Sequence, residues 1–130
     1  TITGYSISDY FAEMLDVIIK KSQQGVYVRI YVNDIEKQKE ALDRLMSYRS
    51  RFLQIYEYQK QEDDKIAALH AKLIVSDVKK SLVSSANLSY HGMQGNIEMG
   101  FLIESHDKAK QIEEVMKEMV RMKVFSKLRE

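Results

Sequence analysis

The chain has 130 residues, 45% of them hydrophobic and 30% charged, and a formal net charge of +1. That length supports one core and excludes two, and the near-neutral charge excludes a strong global pull toward nucleic acid or anionic membrane, though not a local basic patch. The absence of cysteine excludes disulfides and thiolate chemistry and fits a reducing compartment, so a cytoplasmic location is expected.

No apolar run is long enough for a membrane span. The first residues, Thr1 to Ser6, read as the end of a strand already under way. The expectation is therefore one domain, 1–130, excised from a longer protein. Ser8 or Asp9 is placed to cap the next helix, with Glu13 assisting. That helix is expected to reach about Ser22, with Tyr10, Phe11, Met14, Leu15, Val17, Ile18 and Ile19 as one broad stripe, and Gly25 ending it. Val26 to Val32 is β-branched and aromatic, a strong strand. Asn33 and Asp34 then cap a charged helix to about Tyr48, with Ile35, Ala41, Leu42, Leu45 and Met46 inward. Arg51 to Tyr58 reads as a strand and Gln59 to Lys65 as a polar loop.

The stretch from Leu69 to Gly100 has a different pattern. Leu69 to Asp77 reads as a buried strand, yet it carries His70 and Lys72 two residues apart and so on one face. A bend follows at Asp77 to Lys80. Ser81 to Ala86 is a second strand, leading to Asn87, which shares a face with Ser85. In the third run, Asn96 to Ile103, Asn96, Glu98 and Gly100 occupy one face and Ile97, Met99 and Phe101 the other. Asp107 is expected to cap a last helix in which Ile112, Val115, Met116, Met119 and Val120 recur at helical spacing. This order predicts an α/β domain, a layered α/β/α sandwich on a mixed β-sheet whose early strands are parallel. The polar pairs of the three central strands would converge on one patch. Burying His, Lys, Asn and Glu together costs free energy unless they pair or bind something.

His70-x-Lys72-x4-Asp77, then Ser84-Ser85-Ala86-Asn87, then Asn96-x-Glu98-x-Gly100, resembles the HKD motif of the phospholipase D superfamily, HxKxxxxDxxxxxxGSxN followed by a polar pair ending in Glu. Ser84 stands where that family usually has Gly. Gly4-Tyr-Ser6, the first helix, Gly25 and Val28-Arg-Ile-Tyr-Val32 also resemble the family's opening segments, so the resemblance covers nearly the whole chain. It implies a phospholipase D/nuclease-like fold and a phosphodiesterase in which His70 attacks phosphorus to give a phosphohistidine. Lys72 and Asn87 would hold the non-bridging oxygens with support from Ser85, and Glu98 would orient His70. Asp77 belongs to the catalytic motif and is read as organising its turn. The implied mechanism needs no metal or other cofactor. It uses two histidines, so this single-motif chain is expected to form a homodimer with two His70 at a shared cleft. DNA is the expected substrate. A lipid phosphodiester is the alternative, as is a non-catalytic nucleic-acid- or phosphate-binding module of a helicase or restriction/defence protein.

The remaining candidates have plainer readings. His91 and His106 are expected at the surface, and Met116, Met119 and Met122 in the core or an interface. Lys37, Lys39, Arg44, Arg49 and Arg51 suit a solvated face, or one that tracks a nucleic-acid backbone.

Overall fold

The structure is a computed structural model that describes residues 1–4, 7, 12–48, 50–60, 62–64, 66–89 and 94–128. The strand end at Tyr5 and Ser6, the proposed caps Ser8 and Asp9, the apolar Tyr10 and Phe11, Arg49 and His91 lie outside the described residues.

Its elements are β1 (Ile2–Gly4), α1 (Ala12–Gln23), β2 (Val28–Val32), a 3-10 turn (Glu36–Gln38) running into α2 (Lys39–Met46), β3 (Leu53–Tyr58), β4 (Leu73–Ser76), β5 (Lys80–Ser84), β6 (Gly100–Glu104), α3 (His106–Arg121) and β7 (Phe125–Lys127). They build one seven-stranded mixed sheet in the order β6-β5-β4-β1-β2-β3-β7. β1 pairs parallel with β2, and β2 with β3. The meander β4-β5-β6 is antiparallel and joins the parallel half through β1 and β4.

Period-2 alternation in the strands decides the two layers. Ile2, Val28, Ile30, Val32 and Ile55 face α1 and α2, where they meet Leu15, Ile18, Ile19, Ala41, Leu42 and Leu45 in one buried cluster. On the opposite face Tyr31 and Tyr56 stack with ring centroids 5.0 Å apart and pack with Phe125 against Met116, Ile112 and Met119 of α3. The expected α/β/α layering is what forms. Burial pushes the Tyr31 phenol up to about 12, with Tyr56 adding to the shift.

Local signals explain most element ends. Gly25, at φ 88, closes α1, with Val26 N donating to Lys21 O at 3.0 Å and Gly25 N to Ser22 O at 3.1 Å, a Schellman closure that only glycine enters without strain. Asp34 Oδ1 accepts from Glu36 N at 3.0 Å, an Asx turn leading into the 3-10 turn, while the cap positions themselves are Ile35 and, for α2, Gln38. Asn33 does not share that task, because its side chain is used elsewhere. Ser105, not Asp107, caps α3, its hydroxyl accepting from Lys108 N at 3.2 Å. Asp107 instead sits in the first turn, where a carboxylate suits the helix dipole.

Three further expectations are corrected. The strand predicted from Leu69 begins only at Leu73, so His70 and Lys72 lie in the irregular approach to β4. The short strand β7 was not anticipated; it completes the sheet by pairing antiparallel with β3. The apolar face read for Asn96 to Ile103 is not covered: Ile97 is 100%, Met99 77% and Phe101 73% exposed. β6 is the sheet edge, and its apolar residues near the strand start lie in the open.

Candidate active site

β4 runs antiparallel to β1, β5 to β4, and β6 to β5. The segment before β4, the segment after β5 and the segment before β6 are therefore at the same end of the sheet. This is also the carboxyl end of the parallel strands β1 to β3, where α/β sheets open a crevice. His70 and Lys72 enter from the first of these segments, Ser85 and Asn87 from the second and Glu98 from the third. Topology alone thus gathers five of the six residues singled out from the sequence.

Asp77 is not among them. It lies in the turn at the far end of β4, on the order of 20 Å along the strand from His70 at about 3.3 Å per residue. Lys79 N closes this turn onto Ser76 O at 3.0 Å, with Asp77 at φ 55 and Val78 at φ 52. A left-handed conformation is tolerated by Asp and costly for a β-branched Val. Asp77 shapes the hairpin and does not reach the site. His106 is close to that turn, its Nδ1 2.8 Å from Val78 O.

The approach carrying His70 is irregular, so its backbone groups need partners outside a ladder. Two buried side chains supply them. Asn33 Oδ1 accepts from Leu69 N at 2.9 Å. Thr3 Oγ1 donates to Ala71 O at 2.6 Å and accepts from Leu73 N at 2.9 Å. These bonds grip the chain on both sides of His70. Lys72 folds back, its ammonium donating to His70 O at 2.9 Å, while Lys72 O accepts from Ser84 N at 3.0 Å. Thr3 and Asn33 were missed from sequence, since a Thr in a strand and an Asn at a helix start carry no signal of a tertiary partner.

Ser84 has a definite task. Its Oγ accepts from Ala86 N at 3.0 Å, a short side-chain turn that aims the chain toward Asn87. Across the ladder Ser84 pairs with Gly100, whose lack of a side chain leaves room for the Ser84 Cβ. A Cβ on Gly100 would lie 2.7 Å from Val83 O and 2.9 Å from Ser84 Cβ. Ser85 binds the third segment: its hydroxyl donates to Glu98 Oε1 at 2.6 Å, a charge-assisted bond, and its amide donates to Met99 O at 3.1 Å.

Asn87 is held between the Ser84 turn and Leu88, which is buried and bridges in parallel to Ile7. Ile7 in turn is fixed by its amide donating to buried Gln38 Oε1 at 2.9 Å. Asn87 Oδ1 is buried without a hydrogen-bond partner among the described residues. A buried acceptor left without a partner costs roughly 1–3 kcal/mol. Among the described residues no group of three or more His, Cys, Asp or Glu side chains is arranged to hold a metal ion, and no helix is long and apolar enough to cross a membrane.

The arrangement brings a cation, an imidazole, an amide, a hydroxyl and a carboxylate to one rim, a set suited to an anion with a transferable group. Comparison with known proteins gives the family and the fold. Residues 1–120 match the family described as "Cardiolipin synthase, PLD-like domain". A DISARM protein, DrmC, from Bacillus paralicheniformis is 33% identical over 129 residues, 98% of this chain and 52% of that protein. The chain thus spans about half the length of this curated relative. Among solved structures, NucT from Helicobacter pylori superposes with a TM-score of 0.74 at 16% identity, over 92% of this chain and 77% of that one. Nuc from Salmonella typhimurium, a phospholipase D family member, superposes at 0.77 and 15% identity, over 99% and 80%. At that identity the two structures speak to the fold.

Proposed function

This chain belongs to the phospholipase D-like domain family, and from that premise we propose that it is a metal-independent phosphodiesterase, a nuclease that hydrolyses DNA. The observation that carries the reading is the convergence of His70, Lys72, Ser85, Asn87 and Glu98 from three segments on one end of the sheet.

In this reading a His70 ring nitrogen attacks phosphorus and the bond to the leaving oxygen breaks, giving a phosphohistidine and an alcohol. Lys72 and the Asn87 amide hold the non-bridging oxygens as charge builds there. Lys72 is already turned toward the His70 backbone. Glu98 keeps lone pairs beyond the one taken by Ser85 and accepts from the other His70 nitrogen, which fixes the tautomer. Water then attacks the phosphohistidine, releasing a phosphomonoester and free imidazole. The leaving oxygen needs a proton donor, which His70 of a second copy supplies in a homodimer. Exposed Ile97, Met99 and Phe101, next to Glu98, offer two copies an apolar surface to bury, which supports this reading.

The test is cleavage of single- and double-stranded DNA in EDTA by wild type and His70→Asn side by side. Cutting by wild type alone is expected. Loss of cutting in EDTA that returns only with Mg²⁺ refutes the mechanism. Sedimentation is expected to give a dimer that Phe101→Glu dissociates. The family description, which names cardiolipin synthase, favours a second reading, a lipid phosphodiester. Release of a lipid headgroup with intact DNA would select it.

A further inference from the structure

The opposite end of the sheet carries a cluster that the reaction does not use. Tyr27 precedes β2 and Phe52 precedes β3, and Val28 N donates to Phe52 O at 2.8 Å, clamping the starts of the two strands together. The rings meet edge to face with centroids 4.8 Å apart. Arg29 lies over the Tyr27 ring at 5.8 Å, and Arg51 over the Phe52 ring at 5.0 Å. Among the described residues neither arginine forms an ion pair, and Tyr27 is 57% exposed. The last turn of α1 adds exposed Lys20 and Lys21. It is tied to the Arg51 loop by Ser50 Oγ donating to Ser22 O at 3.4 Å.

A cation–π contact with a ring leaves guanidinium N–H donors for another group. Two arginines held this way, neither in an ion pair among the described residues, present donors of the kind that recognise phosphate. Tyr27, more than half exposed, adds an aromatic surface of the kind bases pack against. In a chain whose net charge is only +1, four cations and two rings at one end are a concentration, not an average.

We propose that Tyr27, Arg29, Arg51 and Phe52, flanked by Lys20 and Lys21, form a second binding site for single-stranded nucleic acid, on the order of 20 Å from His70 by strand rise and strand spacing. The phosphates pair with the arginines and lysines, and a base packs on the exposed Tyr27 ring, which Phe52 props from its edge-to-face contact. The identity of the polymer rests on the nuclease reading above. The site would hold a long strand while one of its diesters reaches the catalytic rim, and a short diester would gain nothing from it.

The experiment measures anisotropy of a labelled long oligothymidylate with His70→Asn protein, which binds without cutting. Tyr27→Ala is expected to weaken binding roughly tenfold. Arg51→Gln, at an exposed position, is expected to lower the slope of log affinity against log salt by about 0.7. In the His70-containing protein neither change alters hydrolysis of bis-(p-nitrophenyl) phosphate, which is too small to span the two sites. Binding and salt slope unchanged in both variants overturns the proposal and leaves the nuclease reading intact. Binding that depends on Tyr27 and Arg51 in a protein that hydrolyses neither DNA nor the small diester supports the site and removes the nuclease reading.

Discussion

Thr3→Val removes one oxygen and keeps the shape of a side chain that is 3% exposed. That oxygen serves Ala71 O at 2.6 Å and Leu73 N at 2.9 Å, and the valine leaves both backbone groups unpaired. At about 1–1.5 kcal/mol for each buried group that loses its partner, the loss is about 2–3 kcal/mol. For a domain of this size that lowers Tm by roughly 10 °C. The same two bonds locate the backbone on the Lys72 side of His70. A displacement of about 1 Å there can cost roughly 100-fold in rate. Urea unfolding measures the first effect. Hydrolysis of bis-(p-nitrophenyl) phosphate, assayed well below the lowered Tm, measures the second. Thr3→Ser keeps the hydroxyl and should recover most of the rate while losing only the stability of a methyl group. A Thr3→Val protein that loses stability but hydrolyses at the wild-type rate refutes the positioning argument, and one that loses neither refutes the hydrogen bonds as well.

Gly100→Ala drives a Cβ to 2.7 Å from Val83 O, a backbone atom that cannot turn away, so a destabilisation of about 2–3 kcal/mol in chemical denaturation is expected. Ser84→Gly frees Ala86 N and loosens the turn into Asn87, costing about 1–2 kcal/mol. Combined with Gly100→Ala it should cost less than the sum, since the Ser84 Cβ contact at 2.9 Å is gone; strict additivity by double-mutant cycle would show the two positions do not meet. Tyr31 binds its proton more tightly folded than unfolded, so stability is full below pH 10 and falls as the pH rises toward about 12. Tyr31→Phe should flatten that decline in denaturation curves taken across this range, and an unchanged pH profile would contradict the assigned shift.

The layered fold was readable because Val26 to Val32 is β-branched and aromatic and each helix carries a 3.6-residue stripe, signals that Ile30, Leu42 and Met116 obey without help from distant residues. The gathering of His70, Lys72, Ser85, Asn87 and Glu98 at one end of the sheet was legible for another reason: spacing along the chain fixes which segments lie together once strand order is known. What sequence could not give is tertiary in origin. Asn33 looks like a cap, yet its oxygen is drawn to Leu69 N, 36 residues away. Leu69 to Lys72 has strand composition, but side chains of Thr3 and Asn33 take ladder positions and keep the segment irregular. Phe101 has the pattern of a core residue because alternation reports a two-faced strand and says nothing of whether a helix covers the face. β7 is three residues long, too short for any period to register.

The position of β1 has a mechanical consequence. Its ladder to β4 contains a single residue pair, Ile2↔Ile74, supplemented by Val75 N donating to Thr1 O at 2.8 Å and by the Thr3 hydroxyl. Every proposed catalytic side chain lies on the meander side of this narrow seam, and the clamps from Thr3 and Asn33 reach it from the other side. A load pulling β1 away from β4 would therefore carry the proposed catalytic residues off together, with their mutual spacing kept, and separate them from the carboxyl ends of β1 to β3 before distorting them. In hydrogen exchange the amides of Leu73 and Val75, which bond across that seam, report its opening, and those of Ser84 and Ser85, bonded within the meander, report the integrity of the cargo.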